Sequence, residues 1–480
     1  MNADKVQQRS VTTQVAKNLA STTKTSPKMM SITPRLLLKL LPWVQVEGGT
    51  YRVNRTKVEL TQSERIETEL TGSKASLPAQ SLRRVPLFSR LSDGTLTRLA
   101  AAFETESVPR GRSLGAKAGA QGRFFIIVQG QIEVLSPSVH GSALREALLT
   151  EGEYFGEGTL LAEAGGELSA RTLTPCVLLS LTKEAVDALA KDVPGLGDEL
   201  ARAALEHREL LQNLNKYGER NIDLVSGFAE DIEIPETFVD YAAQPREYPL
   251  SSVQTVVRVH TRVSDLVNGP YDQLKEQLRL TVEGILERQE WELVNSPRFG
   301  LLRSAAPAQR ISTRYGAPTP DDLDELLSLV WKKPAFFLAH PKAIAAFVRE
   351  CTWRGVPPAT VELMGQSVIT WRGVPLVPCD KLEIRGGTER NRAHGTTQIV
   401  LVRLGEADQG VVGLHQTGLP GEILPSLSAR LMATDTLGVA SYLLSLYFSL
   451  AVLTDDALAV LENVEVGYYH NYESRKPKAK

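Results

Sequence analysis

Apolar positions along this chain change period several times, and each change predicts an element. Phe124-Phe125-Ile126-Ile127-Val128 and Gln131-Ile132-Glu133-Val134-Leu135 predict two short strands hinged at Gly130. Val253, Thr255, Val257 and Val259 alternate as strand residues do. Leu274, Leu278, Val282, Ile285 and Leu286 instead recur at helical spacing and predict a long helix. A second helix is signalled by Thr319 as cap, Pro320 in the first turn, and Asp321 and Asp322 beside the positive helix end. Its apolar stripe is Leu323, Leu326, Leu327 and Val330. A short amphipathic helix with Leu96, Leu99, Ala100 and Phe103 starts behind Ser92-Asp93, and a further helical stretch covers about Asp198 to Lys216. Strand-like sequence lies at Thr50 to Arg55 and through Val368 to Val412, and a further short element lies around Leu458 to Val464. Leu437 to Leu453 is the most apolar stretch. Interrupted by Ser441, Ser445 and Ser449 and bounded by Asp435 and Asp455-Asp456, it reads as a buried core helix. A spanning helix wants about 20 mostly apolar residues.

Two polar stretches, 61–81 and 218–237, predict linkers on either side of a self-contained unit at 82–217. The second contains Glu230, Asp231, Glu233 and Glu236. The outer pieces at 50–59 and 247–260 are strand-like. A compact module whose ends lie close together can sit in a loop of another domain without disturbing it. Residues 1–60 and 238–480 therefore read as one host domain interrupted by a guest. The peptide Trp-Arg-Gly-Val-Pro occurs at 353–357 and 371–375, too few copies for a solenoid; two similar turns leading into extended segments explain it.

Composition narrows the function classes. With 480 residues the chain is long enough for two or three domains, and 42% hydrophobic with 23% charged residues is ordinary for a globular protein. A formal charge of -2 gives no reason to expect nucleic acid as a partner. Cys176, Cys351 and Cys379 are widely separated, which argues against a disulfide framework and fits a reducing cytoplasm; no membrane partner is expected. The first 46 residues hold one acid, Asp4, against seven basic residues, and predict a retained, extended arm that docks on another surface, or a disordered tail.

Glu153-Tyr154-Phe155-Gly156-Glu157-Gly158-Thr159-Leu160-Leu161, followed by Glu167-Leu168-Ser169-Ala170, carries the most specific chemistry. A cyclic nucleotide presents an anionic phosphodiester and a free ribose hydroxyl. Backbone N–H groups at the start of a short helix suit the phosphate, glycines allow close approach, and a carboxylate accepts from the hydroxyl. With the preceding Val85-Pro86-Leu87-Phe88, residues 82–215 resemble the cyclic-nucleotide-binding domain family. The resemblance implies that Gly156 and Gly158 flank the phosphate and that Glu157 takes the ribose, with Thr159 and Ser169 beside them. Cyclic AMP or cyclic GMP is then the implied ligand. The family places arginine where this chain has Leu168, however. Arg171 lies three positions on, an odd offset that points to the opposite face of a strand. A β-roll serving as spacer or protein-contact module, with no small ligand, stands beside the nucleotide reading.

The host carries ordered, distinctive segments: His260-Thr261-Arg262-Val263-Ser264-Asp265-Leu266, Leu293-Val294-Asn295-Ser296-Pro297, Gly316 to Asp324, Phe336 to Pro341 and Ser449 to Leu458. Together they resemble the second family of encapsulins, shell proteins of bacterial nanocompartments, and specifically the branch with an inserted cyclic-nucleotide-binding domain, family 2B. The implied fold is α+β: the Hong Kong 97-like tailed-phage capsid fold with an inserted cyclic-nucleotide-binding-like β-roll domain. By this resemblance 1–48 is an N-terminal arm interlocking with neighbours, and 49–60 with 238–260 are the limbs of an extended loop. Residues 261–299 and 431–480 make a peripheral domain with a spine helix, and 300–430 an axial domain. The implied function is a homo-oligomeric icosahedral shell, cytoplasmic, enclosing a cargo enzyme of the terpene cyclase, polyprenyl transferase or cysteine desulfurase type. The guest is expected on the outer surface, where it does not obstruct neighbouring subunits.

No catalytic constellation competes, and the chain is expected not to be an enzyme. The seven histidines show no HExxH or paired metal spacing, and GxSxG, Walker-A and dinucleotide motifs are missing. His340 before Pro341 reads as structural, and Asp321, Asp322 and Asp324 as first-turn helix acids. Arg385 to His394 reads as a solvated loop between strands or a pore lining. Two other classes remain: a cyclic-nucleotide-responsive regulator without a closed shell, which predicts a helix-turn-helix or enzymatic partner in 238–480, neither of which is found, and an unrecognised enzyme, which predicts convergent polar residues in a cleft.

Overall fold

The computed structural model describes residues 25–470 apart from 57–64, 72–73, 117–121, 138–142, 161–167, 194, 213, 216, 226–233, 261–266, 269–270 and 387–394. Residues 1–24 of the predicted arm, the acids Glu230, Asp231 and Glu233, the segment 261–266 and most of the loop Arg385 to His394 lie outside the described residues.

The chain leaves the host and returns to it through paired strands. Thr50–Val53 runs antiparallel to Arg246–Pro249, with Tyr51 opposite Tyr248. Ala242 N–H donates to the Arg55 carbonyl at 3.0 Å, and Thr56 bridges to Tyr241. Tyr248 is buried, and its hydroxyl donates to the Val452 carbonyl at 2.9 Å. Entry and exit are therefore neighbours, as an insertion requires.

Among the described residues the host has two large sheets. In the first, Val439–Val452 pairs along one edge with Ser251–His260 and along the other with Val411–His415 and Leu427–Thr434. Trp43–Gln45 adds a parallel strand beside Val411–His415, so the chain before the guest contributes to the same sheet. Leu437 to Leu453 is thus a strand and not the expected helix. The serines misled because their spacing of four is one helical turn and also two strand repeats. The decisive pattern is Leu444, Leu446, Phe448, Leu450 and Val452, alternate residues that all enter one core. The second sheet orders Arg310–Ser312, Leu458–Glu465, Thr396–Val402, Phe336–Ala339, Val374–Pro378, Gln366–Trp371 and Ala359–Leu363. It is covered on both faces. Phe336 and Leu338 enter the core under the first sheet, while Phe337 and Ala339 pack with Leu323, Leu326 and Phe347. A division of the host at 430/431 does not hold: Leu458–Glu465 lies inside the second sheet, and Val411–His415 belongs to the first.

The helix Gln273–Asn295 is capped by Asp272, whose carboxylate accepts from the Leu274 and Lys275 N–H groups. Its buried Ile285, Leu293 and Val294 lie on the first sheet. The helix Pro320–Leu329 starts at the predicted Thr319 cap, and Asp322 completes a capping box there. Both Trp-Arg-Gly-Val-Pro copies are turns: Gly355 at φ +75° ends the helix Pro341–Arg354, and Arg372-Gly373 at φ +50° and +86° joins Gln366–Trp371 to Val374–Pro378.

The guest is two four-stranded sheets facing each other, one ordered Tyr154–Phe155, Arg123–Gln129, Cys176–Thr182 and Glu104–Val108, the other Ser113–Ala116, Leu168–Thr172, Ile132–Pro137 and Ala143–Leu149. Phe125 and Ile127 point between them. Phe124, Ile126 and Val128 point the other way, onto the helices Asp93–Ala101, Lys183–Asp192 and Leu196–Gln212. The stretch 61–81 is not only a linker. Ile66 is buried in the guest core, and the hairpin Glu69–Thr71/Lys74–Ser76 places Ala75 against it. Sparse apolar residues in a polar run hid this boundary.

The described part of the N-terminal arm packs on its own chain. Glu283, Glu287 and Glu290 lie along one face of Gln273–Asn295. Glu283 holds the Arg35 guanidinium, Glu287 accepts from the Thr33 N–H at 2.7 Å, and Glu290 accepts from the Leu37 N–H at 3.2 Å. Lys381 bridges to Glu287 at 2.7 Å. Burial pushes the Glu290 carboxyl up to about 7, the Lys381 charge and the Leu37 N–H offsetting part of the effect. A carboxyl with a raised folded-state pKa stabilises most below its unfolded value and loses that contribution as pH rises through 7. Glu290→Gln keeps the acceptor for Leu37 and removes the titration. The variant's melting temperature should then change less than the wild type's between pH 5 and pH 8, by up to the equivalent of about 3 kcal/mol. Parallel pH profiles for the two proteins would refute the assignment.

Candidate functional site

The guest's cassette begins with the strand Tyr154–Phe155, which pairs with Ile126 and Phe125. Phe125 and Phe155 stack with ring centroids 5.0 Å apart. The next residue is glycine by necessity. Gly156 has φ +88°, and a Cβ there would stand 2.4 Å from the Arg123 carbonyl oxygen. The short helix Glu157–Leu160 follows. Buried Thr159 closes the turn, its N–H donating to the Gly156 carbonyl at 3.0 Å. The Thr159 hydroxyl lies 2.7 Å from that carbonyl and 2.9 Å from the Arg123 carbonyl, so its one proton serves the fold. Burial raises the Glu157 carboxyl above its ordinary range, its own backbone N–H offsetting part of the rise.

Of the predicted site residues, Gly156, Glu157, Gly158 and Thr159 share this turn and helix. Ser169 lies in the facing sheet, opposite Gly115 and Leu135, with Leu168 opposite Ala116. Arg171 is paired within that sheet. Its Nε donates to Glu133 Oε1 at 2.6 Å, across the strand pair that places the two residues side by side.

The turn just before the cassette holds residues that the sequence did not single out. Thr150 is fully buried, and its N–H donates to Glu153 Oε2 at 2.6 Å. Gly152, at φ +80°, accepts from the Ile66 N–H at 2.8 Å, and a Cβ there would lie 2.8 Å from Arg65 Cβ. Arg65 Nη2 donates to Thr150 Oγ1 at 3.0 Å and to the Arg310 carbonyl at 2.8 Å, while Nη1 donates to Glu462 Oε2 at 3.1 Å. Arg310 Nη1 takes the other Glu462 oxygen at 2.6 Å. Guest and host thus meet on one carboxylate. Nearby, Leu148 packs against the host core, and the Arg110 guanidinium lies 4.7 Å from the Tyr315 ring centre. Burial raises the Glu151 and Glu153 carboxyls, with the Glu462 charge adding to the rise at Glu151. These contacts join residues hundreds of positions apart, which periodicity cannot register.

Other candidates have structural partners. His340 caps its helix, Nδ1 accepting from the Lys342 N–H at 3.0 Å. Asp324 accepts from Trp371 Nε1 at 2.7 Å and from Arg372 Nη2 at 3.0 Å. Among the described residues no cluster of His, Cys, Asp and Glu could hold a metal ion, and no helix is long and apolar enough to cross a membrane.

Two family descriptions match this geometry. The one described as type 2A encapsulin shell protein SrpI-like covers residues 207–468, and the cyclic nucleotide-binding domain covers 106–192. The type 2A encapsulin shell protein SrpI of Synechococcus elongatus is 63% identical over 243 residues, 51% of this chain and 77% of that protein. The type 2A encapsulin shell protein of Mycobacterium leprae is 56% identical over 248 residues, 52% of this chain and 78% of that protein. The holo-SrpI encapsulin complex from Synechococcus elongatus, solved by electron cryomicroscopy, aligns with a TM-score of 0.54 at 38% identity, covering 96% of this chain and 98% of that one. The fold is the capsid-type shell fold with an inserted cyclic-nucleotide-binding-like β-roll domain.

Restoring the family's arginine tests the pocket. A charge-assisted hydrogen bond contributes roughly 1.5–3 kcal/mol, so Leu168→Arg should tighten cyclic AMP or cyclic GMP binding about tenfold to a hundredfold by calorimetry. Adding Glu157→Ala should reverse that gain. Wild-type affinity equal to that of Leu168→Arg would show that Leu168 is no handicap.

Proposed function

Because the chain belongs to the SrpI-like family of type 2A encapsulin shell proteins, we propose that it is a structural subunit that self-assembles into a closed icosahedral shell around a cargo enzyme. Closed shells arise when one heterologous contact repeats with a rotation that closes. The observation that carries the reading is the unbroken match over 207–468, joined to a sheet that also takes Trp43–Gln45 from before the guest. Surface composition fits a subunit made for burial. Ile234, Phe238 and Tyr241 are 83%, 77% and 67% exposed on the isolated chain, and Met364, Leu431 and Met432 are also uncovered.

The finer reading is the insertion-bearing branch, family 2B, because the guest interrupts the host between the paired strands. On that reading the guest stands on the outer surface, the shell is cytoplasmic, and the cargo is a terpene cyclase, polyprenyl transferase or cysteine desulfurase. The chain itself is not an enzyme. Nucleotide binding by the guest is weak or lost, since Leu168 replaces the phosphate's charged partner. A regulatory protein without a closed shell is the second reading, favoured by the cyclic nucleotide-binding match over 106–192.

Electron microscopy with light scattering on the purified chain decides between them. We expect hollow particles of megadalton mass whose size does not respond to cyclic nucleotide. Dimers or tetramers under every buffer, shifting in state with cyclic AMP, would favour the regulator and end the shell reading.

A further inference from the structure

We infer that the turn Thr150–Glu153 is a transmission element, coupling the conformation of the guest's cassette to the host strands Arg310–Ser312 and Leu458–Glu465. The inference goes beyond the shell reading and does not depend on it, because every contact is made within one chain. The turn has two faces. On one, it runs straight into Tyr154-Phe155-Gly156 and is fixed to the guest sheet: Gly152 N–H donates to the Ile127 carbonyl at 2.8 Å, and Ile127 N–H donates to the Glu153 carbonyl at 2.9 Å. On the other, Thr150 meets Arg65 and the Arg310 carbonyl, and Arg65 shares Glu462 with Arg310.

Three features make this junction stiffer than a tether. Gly152 leaves no room for a side chain, so Arg65 sits directly against the turn. Glu462 is bridged through both oxygens to two arginines that are largely shielded from water, with side chains 21% and 17% exposed. Arg310 is anchored in turn by the Ala305 carbonyl at 3.2 Å and by the Leu302 carbonyl. A displacement of the cassette cannot be absorbed in the turn without moving Thr150 or Arg65. Either movement reaches Glu462 on the one host strand that pairs with both Arg310–Ser312 and Thr396–Val402. Coupling of this kind is a property of packed, hydrogen-bonded contacts with shared partners, and it is reciprocal.

Hydrogen–deuterium exchange on the full chain tests it. Gly156→Ala pushes a Cβ against the Arg123 carbonyl and displaces the cassette; Arg65→Met cuts the junction. Gly156→Ala should speed exchange in Arg310–Ser312 and Leu458–Glu465 about fivefold or more, Arg65→Met should do the same alone, and the double variant should add little further. Arg65→Lys should resemble Arg65→Met, because a point ammonium cannot hold Glu462, Thr150 and the Arg310 carbonyl together. Wild-type exchange in both host strands of Gly156→Ala overturns the inference, and so do strictly additive effects. Where Gly156→Ala unfolds the guest, Glu462→Gln reads the coupling from the host. Tyr154–Leu160 must then exchange faster while Arg123–Gln129 stays unchanged, and an unmoved cassette refutes the coupling.

Discussion

The short antiparallel pair Thr50–Val53 with Arg246–Pro249 is the constraint on which the rest depends. It brings the two ends of the guest's excursion together, so that host residues far apart in sequence can share one core. The entropic cost of closing a loop grows only slowly with its length, which is why a whole domain is tolerated at this point. What is not tolerated is loss of alignment. Trp43–Gln45, before the guest, must pair with Val411–His415, and Ser251–His260, after it, with Val439–Val452. Tyr248, donating to the Val452 carbonyl from a buried position, ties the exit strand to that same sheet.

A second attachment turns an insertion into a docked domain. The paired strands alone would leave the guest free to swing about its base. The Arg65–Glu462–Arg310 cluster adds a contact away from that base, and Leu148 and the Arg110–Tyr315 pair widen it. Its contribution to stability is not read from the number of ion pairs. Partly buried pairs gain little net energy, whereas stripping one partner leaves a poorly solvated charge behind. The cluster therefore acts more through specificity of position than through overall stability. Glu283, Glu287 and Glu290 play a comparable part for the N-terminal segment, each carboxylate meeting a different group of residues 33–37.

Much of this was legible in the sequence, and the failures have physical causes. Local signals held. The Thr319 helix cap and the Gly130 hinge at φ +107° each depend on neighbours within a few residues. Leu437 to Leu453 failed because serines spaced by four satisfy both helix and strand repeats, and the paired edges that settle the matter come from elsewhere in the chain. Ile66 failed because one apolar residue in a polar run carries no period. The 430/431 division failed because Leu458–Glu465 crosses into the second sheet, which only topology reveals. At the candidate site, the turn was legible and its junction was not. Arg65 is polar in sequence and reads as linker until Glu462 is placed beside it.

Two constraints on the cassette separate here. Gly156 is demanded by the backbone whatever the pocket holds, because the Arg123 carbonyl occupies the space of a side chain. Thr159 likewise gives its hydroxyl proton to backbone carbonyls. Both demands are met within the chain, and neither residue needs a ligand to explain it. A turn of this kind can therefore be kept for its backbone alone. In this chain that backbone is hydrogen-bonded to the guest sheet on one side and, through Thr150 and Arg65, to the host on the other.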